Sequence, residues 1–299
     1  MRYRARVLGV GLLLVAAGLA LLHWWPPVDE PPAPEGAGHL VVSRVAVIDP
    51  GVHELLIRLE ATEKMVGRPD YTDEFEQTRA LPTLGTGLSP SYEQIVRTGP
   101  DLILTTHASR GVVLGNLQKI APTEPLPWLT VDEVVESIRA IGELLDISGK
   151  ANALAERMRL ELAPQLGPDS PRVLVLLGAP SASDTDLWVV KPNSLHGAAL
   201  AAAGGRHAIP TEIVGPPTLS IEGLLQVDPD IILVLLSDPD TTEEMIRAHG
   251  VFWARLQMLS AVRSGKVGYL VGRTHFYTGP GVMDFKDALR AKIAEVQTR

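Results

Sequence analysis

Two rhythms of apolar residues alternate along this chain. Residues 40–48 alternate toward a strand that Asp49-Pro50-Gly51 ends, and residues 52–63 carry Leu55, Leu56 and Leu59 at helical spacing. A short second strand is expected at 65–67, after which residues 68–86 are polar and irregular. Strands at 101–105 and 123–129 then alternate with helices at 112–120 and 131–145. Residues 148–166 form the longest helical pattern, stopped by Gly167-Pro168-Asp169-Ser170-Pro171. Beyond it the alternation starts afresh, with strands at 172–177, 187–190, 231–236 and 266–271 and helices at 195–203, 242–248, 251–259 and 282–296. Strands alternating with helices predict parallel sheets covered by helices. The fold expected is α/β: two Rossmann-like lobes, residues 39–147 and 169–299, joined by a single long helix at 148–168.

One unit occurs twice. Ser91-Tyr92-Glu93 leads through an apolar helical turn to Pro100-Asp101 and the run Leu102-Ile103-Leu104, and Ser220-Ile221-Glu222 leads in the same way to Pro229-Asp230 and Ile231-Ile232-Leu233. Each glutamate precedes its proline by seven residues, and the two lie 129 residues apart (222 − 93). The pattern reads as a short helix, a tight turn and a buried strand, once per lobe. A glutamate in a first helical turn complements the macrodipole by roughly 0.3–1 kcal/mol, which would suffice to explain one copy. Two copies at equivalent positions predict a pair of exposed acidic knobs, suited to a two-fold partner with basic sockets. Exposed ion pairs add only about 0–1 kcal/mol each, so such knobs would serve orientation and association rate.

The amino terminus changes the picture. Arg2, Arg4 and Arg6 precede an uninterrupted apolar run at 7–22, followed by Trp24 and Trp25. Residues 1–25 read as a signal or anchor, and the missing small-residue cleavage pattern favours an uncleaved anchor with the body exported. Residues 26–38, rich in Pro, Glu, Ala and Gly, read as a disordered tether. A length of 299 residues accommodates two domains with large cores. The net charge of −8 argues against a nucleic-acid partner. Cysteine is absent, which excludes disulfides, thiolate chemistry, thiolate metal sites and a lipid-modified amino terminus.

Enzyme signatures are missing: the chain has no P-loop, no Gly-x-Ser-x-Gly elbow and no His-Glu-x-x-His. Gly85-Thr86-Gly87 reads as a turn, and Asp184-Thr185-Asp186 as an acidic surface loop. The histidines are more informative. His107 follows one strand and His275 another, and ligands of open parallel sheets bind outside the carboxyl ends of strands. His53 and His196 fall near helix starts, which also reads as a rim position. Together these could ligate a metal or contact a large cofactor, while any one taken singly reads first as a packing or capping residue, with the two readings balanced for His107 and His275. Tyr71 and Tyr277 lie in stretches without periodicity, which favours loops at a site; Phe276 and Trp128 could join them, whereas Trp253 fits the core beside Phe252, Leu256 and Leu259.

From about His39 to Arg299 the chain resembles the substrate-binding proteins of ABC importers for iron-siderophores, haem and cobalamin. The residues that carry the resemblance are Asp49-Pro50-Gly51-Val52-His53-Glu54-Leu55-Leu56, Val66-Gly67-Arg68-Pro69-Asp70-Tyr71-Thr72-Asp73, Leu81-Pro82-Thr83-Leu84-Gly85, the two Glu-to-Pro-Asp units, Ala261-Val262-Arg263-Ser264-Gly265-Lys266-Val267 and Gly279-Pro280-Gly281. The resemblance implies an extracytoplasmic binding protein and not an enzyme, monomeric and without an intrinsic cofactor. It would capture a metal chelate (ferric siderophore, cobalamin or haem) between its lobes and deliver it to a permease dimer in the inner membrane. It further implies that Glu93 and Glu222 dock permease arginines and that Tyr71, His107, His196, His275 and Tyr277 lie near the cleft. Thr86 stands where haem-binding members often carry a ligating tyrosine, which counts against haem. Two alternatives compete: a bare zinc or manganese binder using His53 and His107 with His196 and His275, and a membrane-anchored extracytoplasmic enzyme on the same scaffold.

Overall fold

The computed structural model describes residues 42–181 and 183–299, so the apolar amino-terminal run and the tether lie outside the described residues. Two residues past strand β1 (Val45–Val47) stands Asp49, whose carboxylate accepts from the backbone N–H groups of Gly51 (2.9 Å) and Val52 (3.3 Å) and so starts helix α1 (Pro50–Arg58). A 3₁₀ turn at Thr62–Lys64 leads into β2 (Met65–Gly67). Then come α2 (Tyr92–Thr98), β3 (Leu102–Thr106), α3 (Gly111–Leu117) and β4 (Thr123–Leu126). Helix α4 (Val131–Leu144) opens on a reciprocal capping box between Thr130 and Glu133, and α5 (Ser148–Glu161) follows it directly.

The second half begins with β5 (Arg172–Leu177), β6 (Asp186–Trp188), α6 (Leu195–Ala202), β7 (Arg206–His207) and β8 (Thr218–Ser220). It continues with α7 (Ile221–Val227), β9 (Ile231–Leu236), α8 (Glu243–Ala248), α9 (Gly250–Ala254) and α10 (Ser260–Arg263). Strand β10 (Val267–Val271), a 3₁₀ turn at Arg273–Phe276 and helix α11 (Val282–Gln297) complete the chain.

These strands form two parallel four-stranded sheets, in the orders β2-β1-β3-β4 and β7-β5-β9-β10. From corresponding edges the two orders are the same, so the duplication covers a whole sheet with its helices and not only the Pro-Asp unit. The register repeats as well: Val45 lies opposite Leu102, and Val173 opposite Ile231. Every residue of β3 and β9 is buried, as expected for central parallel strands covered on both faces. The antiparallel pair β6–β8 belongs to the second half.

One apolar core runs through both halves. It joins Val45 and Leu104 of the first sheet, Val173 and Leu233 of the second, and Ile138, Met158 and Phe285 of α4, α5 and α11. Residues 42–299 accordingly form one compact unit. Between the sheets the chain passes through α4 and α5, 14 residues each, so the expected single dominant helix at 148–168 is shorter than its pattern implied. Pro164 explains the difference. It lacks an N–H and disfavours a helical Ala163, so α5 stops at Glu161 despite its run of good helix formers. At 16 residues, α11 is longer. No helix among the described residues is long and apolar enough to cross a membrane.

Candidate functional site

The carboxyl edges of the two sheets meet across a junction built from glycines. A Cβ on Gly51, in the first turn of α1, would lie 1.6 Å from the carbonyl oxygen of Thr278, and one on Gly279 would lie 3.0 Å from the carbonyl oxygen of Gly51. Backbone therefore meets backbone between the halves. Trp128, just past β4 and buried, donates its indole N–H to the Thr278 carbonyl at 2.5 Å. Next to it, Arg58 pairs with Glu54 at 2.7 Å and with Asp284 of α11, and Lys286 pairs with Glu161 at 2.8 Å. Burial pushes the Glu54 carboxyl above its usual range, against the pull of Arg58.

Beside this floor a polar cluster spans the two halves. The Tyr277 hydroxyl lies within hydrogen-bond reach of the Glu74 carboxylate (2.5 Å) and the Tyr71 carbonyl. Burial first, then the Glu74 charge, pushes the Tyr277 phenol far above its ordinary value, so it remains a donor at all physiological pH. Arg273 stands 3.8 Å from Glu74, 4.0 Å from Asp73 and 6.0 Å from the centre of the Tyr71 ring. Arg68, buried, anchors the same loop through Asp73 at 2.7 Å. Tyr71 itself is held at φ +64° with 65% of its surface exposed. For a bulky non-glycine residue that backbone costs roughly 1–3 kcal/mol, and it turns the ring outward instead of into the core. The fold thus brings Tyr71 and Tyr277 together, the Tyr277 side chain buried and the Tyr71 ring exposed. Arg273 and Glu74 belong with them; nothing in their sequence neighbourhoods marks them, because their partnership exists only across the fold.

The histidines divide. His107 is half-buried past the end of β3, and its Nδ1 is shielded from solvent without a hydrogen-bond partner. Burial, then the Arg110 charge, lowers its pKa, which leaves a neutral imidazole at this edge. His275 is half-buried against Phe285, ring centres 5.6 Å apart, and His196 behind it binds the His275 carbonyl through Nε2 at 2.8 Å. His196 is buried, so its contact with the site runs through the turn that carries His275. His53 has 0% exposure and binds the Thr78 hydroxyl at 2.8 Å; burial and then Arg68 drop its pKa to about 4. That position corrects the reading of His53 as a rim residue: it lies on the buried face of α1 with Val52, Leu55 and Leu56. Among the described residues no three His, Cys, Asp or Glu side chains converge as a metal site. Trp253 is core, its indole N–H 2.9 Å from the Tyr269 hydroxyl.

Glu93 and Glu222 occupy the first turns of α2 and α7, seven-residue helices that each end on a left-handed residue, Gly99 (φ +54°) and Asp228 (φ +38°). Both glutamates are exposed, Glu93 with 75% of its side chain open while pairing with Arg97 at 2.6 Å. In a parallel sheet a helix runs back against its strands, so each glutamate stands at the carboxyl edge of its own sheet. A groove of about 420 Å³ lies beside Glu93, lined by Tyr92, Val96, Asn116 and Ile120. Another of about 410 Å³ follows α7 along Leu219, Gly223 and Gln226.

Known proteins share this fold. The periplasmic binding protein model matches residues 45–274, from β1 to the turn that carries Arg273. The chain belongs to the periplasmic binding protein family. A cobalamin-binding protein of Halobacterium salinarum is 29% identical over 227 residues, 71% of this chain and 59% of the relative, so this periplasmic binding protein spans about three-fifths of that relative's length. The crystal structure of the vitamin B12 binding protein BtuF of Vibrio cholerae matches 87% of this chain and 99% of its own with a TM-score of 0.67 at 20% identity. A periplasmic heme binding protein from Pseudomonas aeruginosa matches 84% of this chain and 92% of its own with a TM-score of 0.68 at 23% identity. The two solved structures confirm the α/β fold with its paired parallel sheets.

Proposed function

We propose that this periplasmic binding protein is the extracytoplasmic receptor of an ABC importer, taking a metal chelate of the cobalamin or ferric-siderophore class between its two sheet edges. The duplicated unit carries this reading: two exposed glutamates on equivalent helices at equivalent edges give a two-subunit permease one acidic contact per half. The outward Tyr71 ring, with the Arg273 guanidinium above it and the neutral His107 on the same edge, supplies an aromatic face and hydrogen-bonding groups for a large chelate. The identity to a cobalamin-binding relative favours a corrinoid, and Thr86 in place of a ligating tyrosine argues against haem. The bare-metal alternative loses support because His53 is spent on Thr78 inside the core.

The test uses full-length protein with cyanocobalamin and a ferric hydroxamate as probes. A ligand at 100 times its Kd that binds only the native state stabilises it by about 2.7 kcal/mol, a thermal shift of roughly 5–10 °C for a body of this size. The E93R/E222R double variant is expected to keep that shift and to abolish uptake of the same chelate by cells carrying the importer. Loss of the shift in the variant, or a shift with zinc alone and with neither chelate, overturns the proposal.

A further inference from the structure

The duplication extends to a pair of arginines. Arg44 immediately precedes β1 and Arg172 is the first residue of β5, in the matching contexts Arg44-Val45-Ala46-Val47 and Arg172-Val173-Leu174-Val175. Arg44 donates from Nε to the Gly99 carbonyl at 2.8 Å and from Nη2 to the Thr98 carbonyl. Arg172 donates from Nη1 to the Asp228 carbonyl at 3.2 Å and from Nη2 to the Val227 carbonyl. Each guanidinium therefore spans the last two carbonyls of a glutamate-bearing helix, α2 in one half and α7 in the other.

The aspartate of each Pro-Asp unit closes the same knot. Asp101 accepts from the N–H groups of Ser43 at 2.9 Å and Arg44 at 3.0 Å, and Asp230 accepts from the N–H of Arg172 at 2.7 Å. The start of the first strand, the end of the helix and the start of the next strand are tied at one point in each half.

A helix end leaves its final carbonyls without intrahelical partners, and a guanidinium supplies two donors in a fixed plane. A seven-residue helix has few bonds of its own to fix its direction, so such a fork aims it. The glutamate sits less than two turns from the fork, on the same short rod.

Resting on the docking role proposed for the glutamates, we propose that Arg44 and Arg172 are positioning residues for permease docking: each aims the helix that presents Glu93 or Glu222. They act within their own half. The brace of Arg44 sets Glu93 and leaves Glu222 untouched, and that of Arg172 does the reverse. Lysine does not replace either arginine, because one ammonium point cannot hold two carbonyls in the plane of a fork.

A double-mutant cycle tests this. Full-length protein and its R44M, R44K, E93Q, E222Q, R44M/E93Q and R44M/E222Q variants are titrated onto the purified importer in detergent, with thermal unfolding of each recorded alongside. R44M and R44K are each expected to weaken importer binding about threefold to fivefold in the parent and in the E222Q background, and less than 1.5-fold in the E93Q background. A merely structural arginine would weaken binding equally in all three, and equal losses overturn the brace while leaving the glutamate assignment intact. If R44M fails to fold, the same comparison is made with R44K, paired with R44K/E93Q and R44K/E222Q. If E93Q and E222Q both bind as the parent does, the docking reading falls and the brace falls with it.

Discussion

Replacing Gly51 with alanine should strike the junction between the halves. The new Cβ would lie 1.6 Å from the Thr278 carbonyl oxygen, 2.7 Å from its carbon and 3.0 Å from the Trp128 indole nitrogen. Two of these atoms are backbone, so no rotamer change relieves the overlap. Ordinary non-bonded contact requires the carbonyl to retreat by roughly 1.5–2 Å. That displacement breaks the 2.5 Å bond from Trp128 and strands a buried donor, at about 1–3 kcal/mol. Residual overpacking adds about 1–3 kcal/mol, and the better helix propensity of alanine returns up to about 1 kcal/mol. The net loss is about 3 kcal/mol, which lowers Tm by roughly 6–12 °C. Differential scanning calorimetry of the full chain measures it. Gly149, near the start of α5, is the internal control, because a Cβ there would meet nothing within 4 Å. G149A should leave Tm unchanged or raise it slightly. A G51A Tm within 2 °C of the parent would refute the contact between α1 and the Thr278 carbonyl.

Two further substitutions probe the same region. His53 is held neutral with a pKa of about 4 against 6.5 in the unfolded chain, so between those values the unfolded state binds more protons and stability falls as pH falls. The loss reaches about 3 kcal/mol at most, and H53Q should show a flatter decline of Tm from pH 7 to pH 4.5; parallel slopes would contradict it. Comparing variant with parent cancels the opposite contribution of Asp49 and Glu54, whose pKa values burial raises. Y277F removes the donor that reaches Glu74 and the Tyr71 carbonyl and should cost about 1–3 kcal/mol, with faster amide exchange across residues 70–76. Unchanged exchange in that loop would show that the hydroxyl does not tie the halves together.

The sequence reveals what repeats and what is periodic. The aliphatic runs of β3 and β9 and the Pro-Asp turns before them are visible because each is local. The matching arginines are equally local in their Arg-Val-x-Val contexts, yet they gain meaning only once the carbonyls of α2 and α7 lie next to them. Periodicity overstates the extent of α5 because Pro164 sits among good helix formers, and a count of apolar spacings does not register a missing N–H. Nearness to a helix start puts His53 at the rim, although its helical neighbours Val52, Leu55 and Leu56 already mark that face as inward. The junction is beyond reach of any local pattern: Trp128 and Thr278 are 150 residues apart, and Tyr277 and Glu74 are 203 apart.

The ties between the halves differ in what they permit. The floor combines a shared apolar core, a backbone-to-backbone approach at Gly51 and Gly279, and the pairs of Arg58 with Asp284 and of the buried Lys286 with Glu161. Bending there would open packed surface and leave charges without partners, which is costly in a low-dielectric interior. The Arg273 pairs of the polar cluster are different: Arg273 is a third exposed, its distances to the carboxylates are 3.8 and 4.0 Å, and water can replace those two contacts at little cost, which leaves the Tyr277–Glu74 bond as the main tie there. Any parting of the halves should therefore begin at this cluster and pivot on the floor, moving the 70–76 loop more than either sheet. On the proposed reading such stiffness has a use. Two glutamates can orient a receptor on a permease only if their separation stays fixed, and a core continuous through both sheets fixes it before any ligand arrives. The docking geometry is then a property of the fold itself, and a ligand would be sensed through the loop that carries Tyr71.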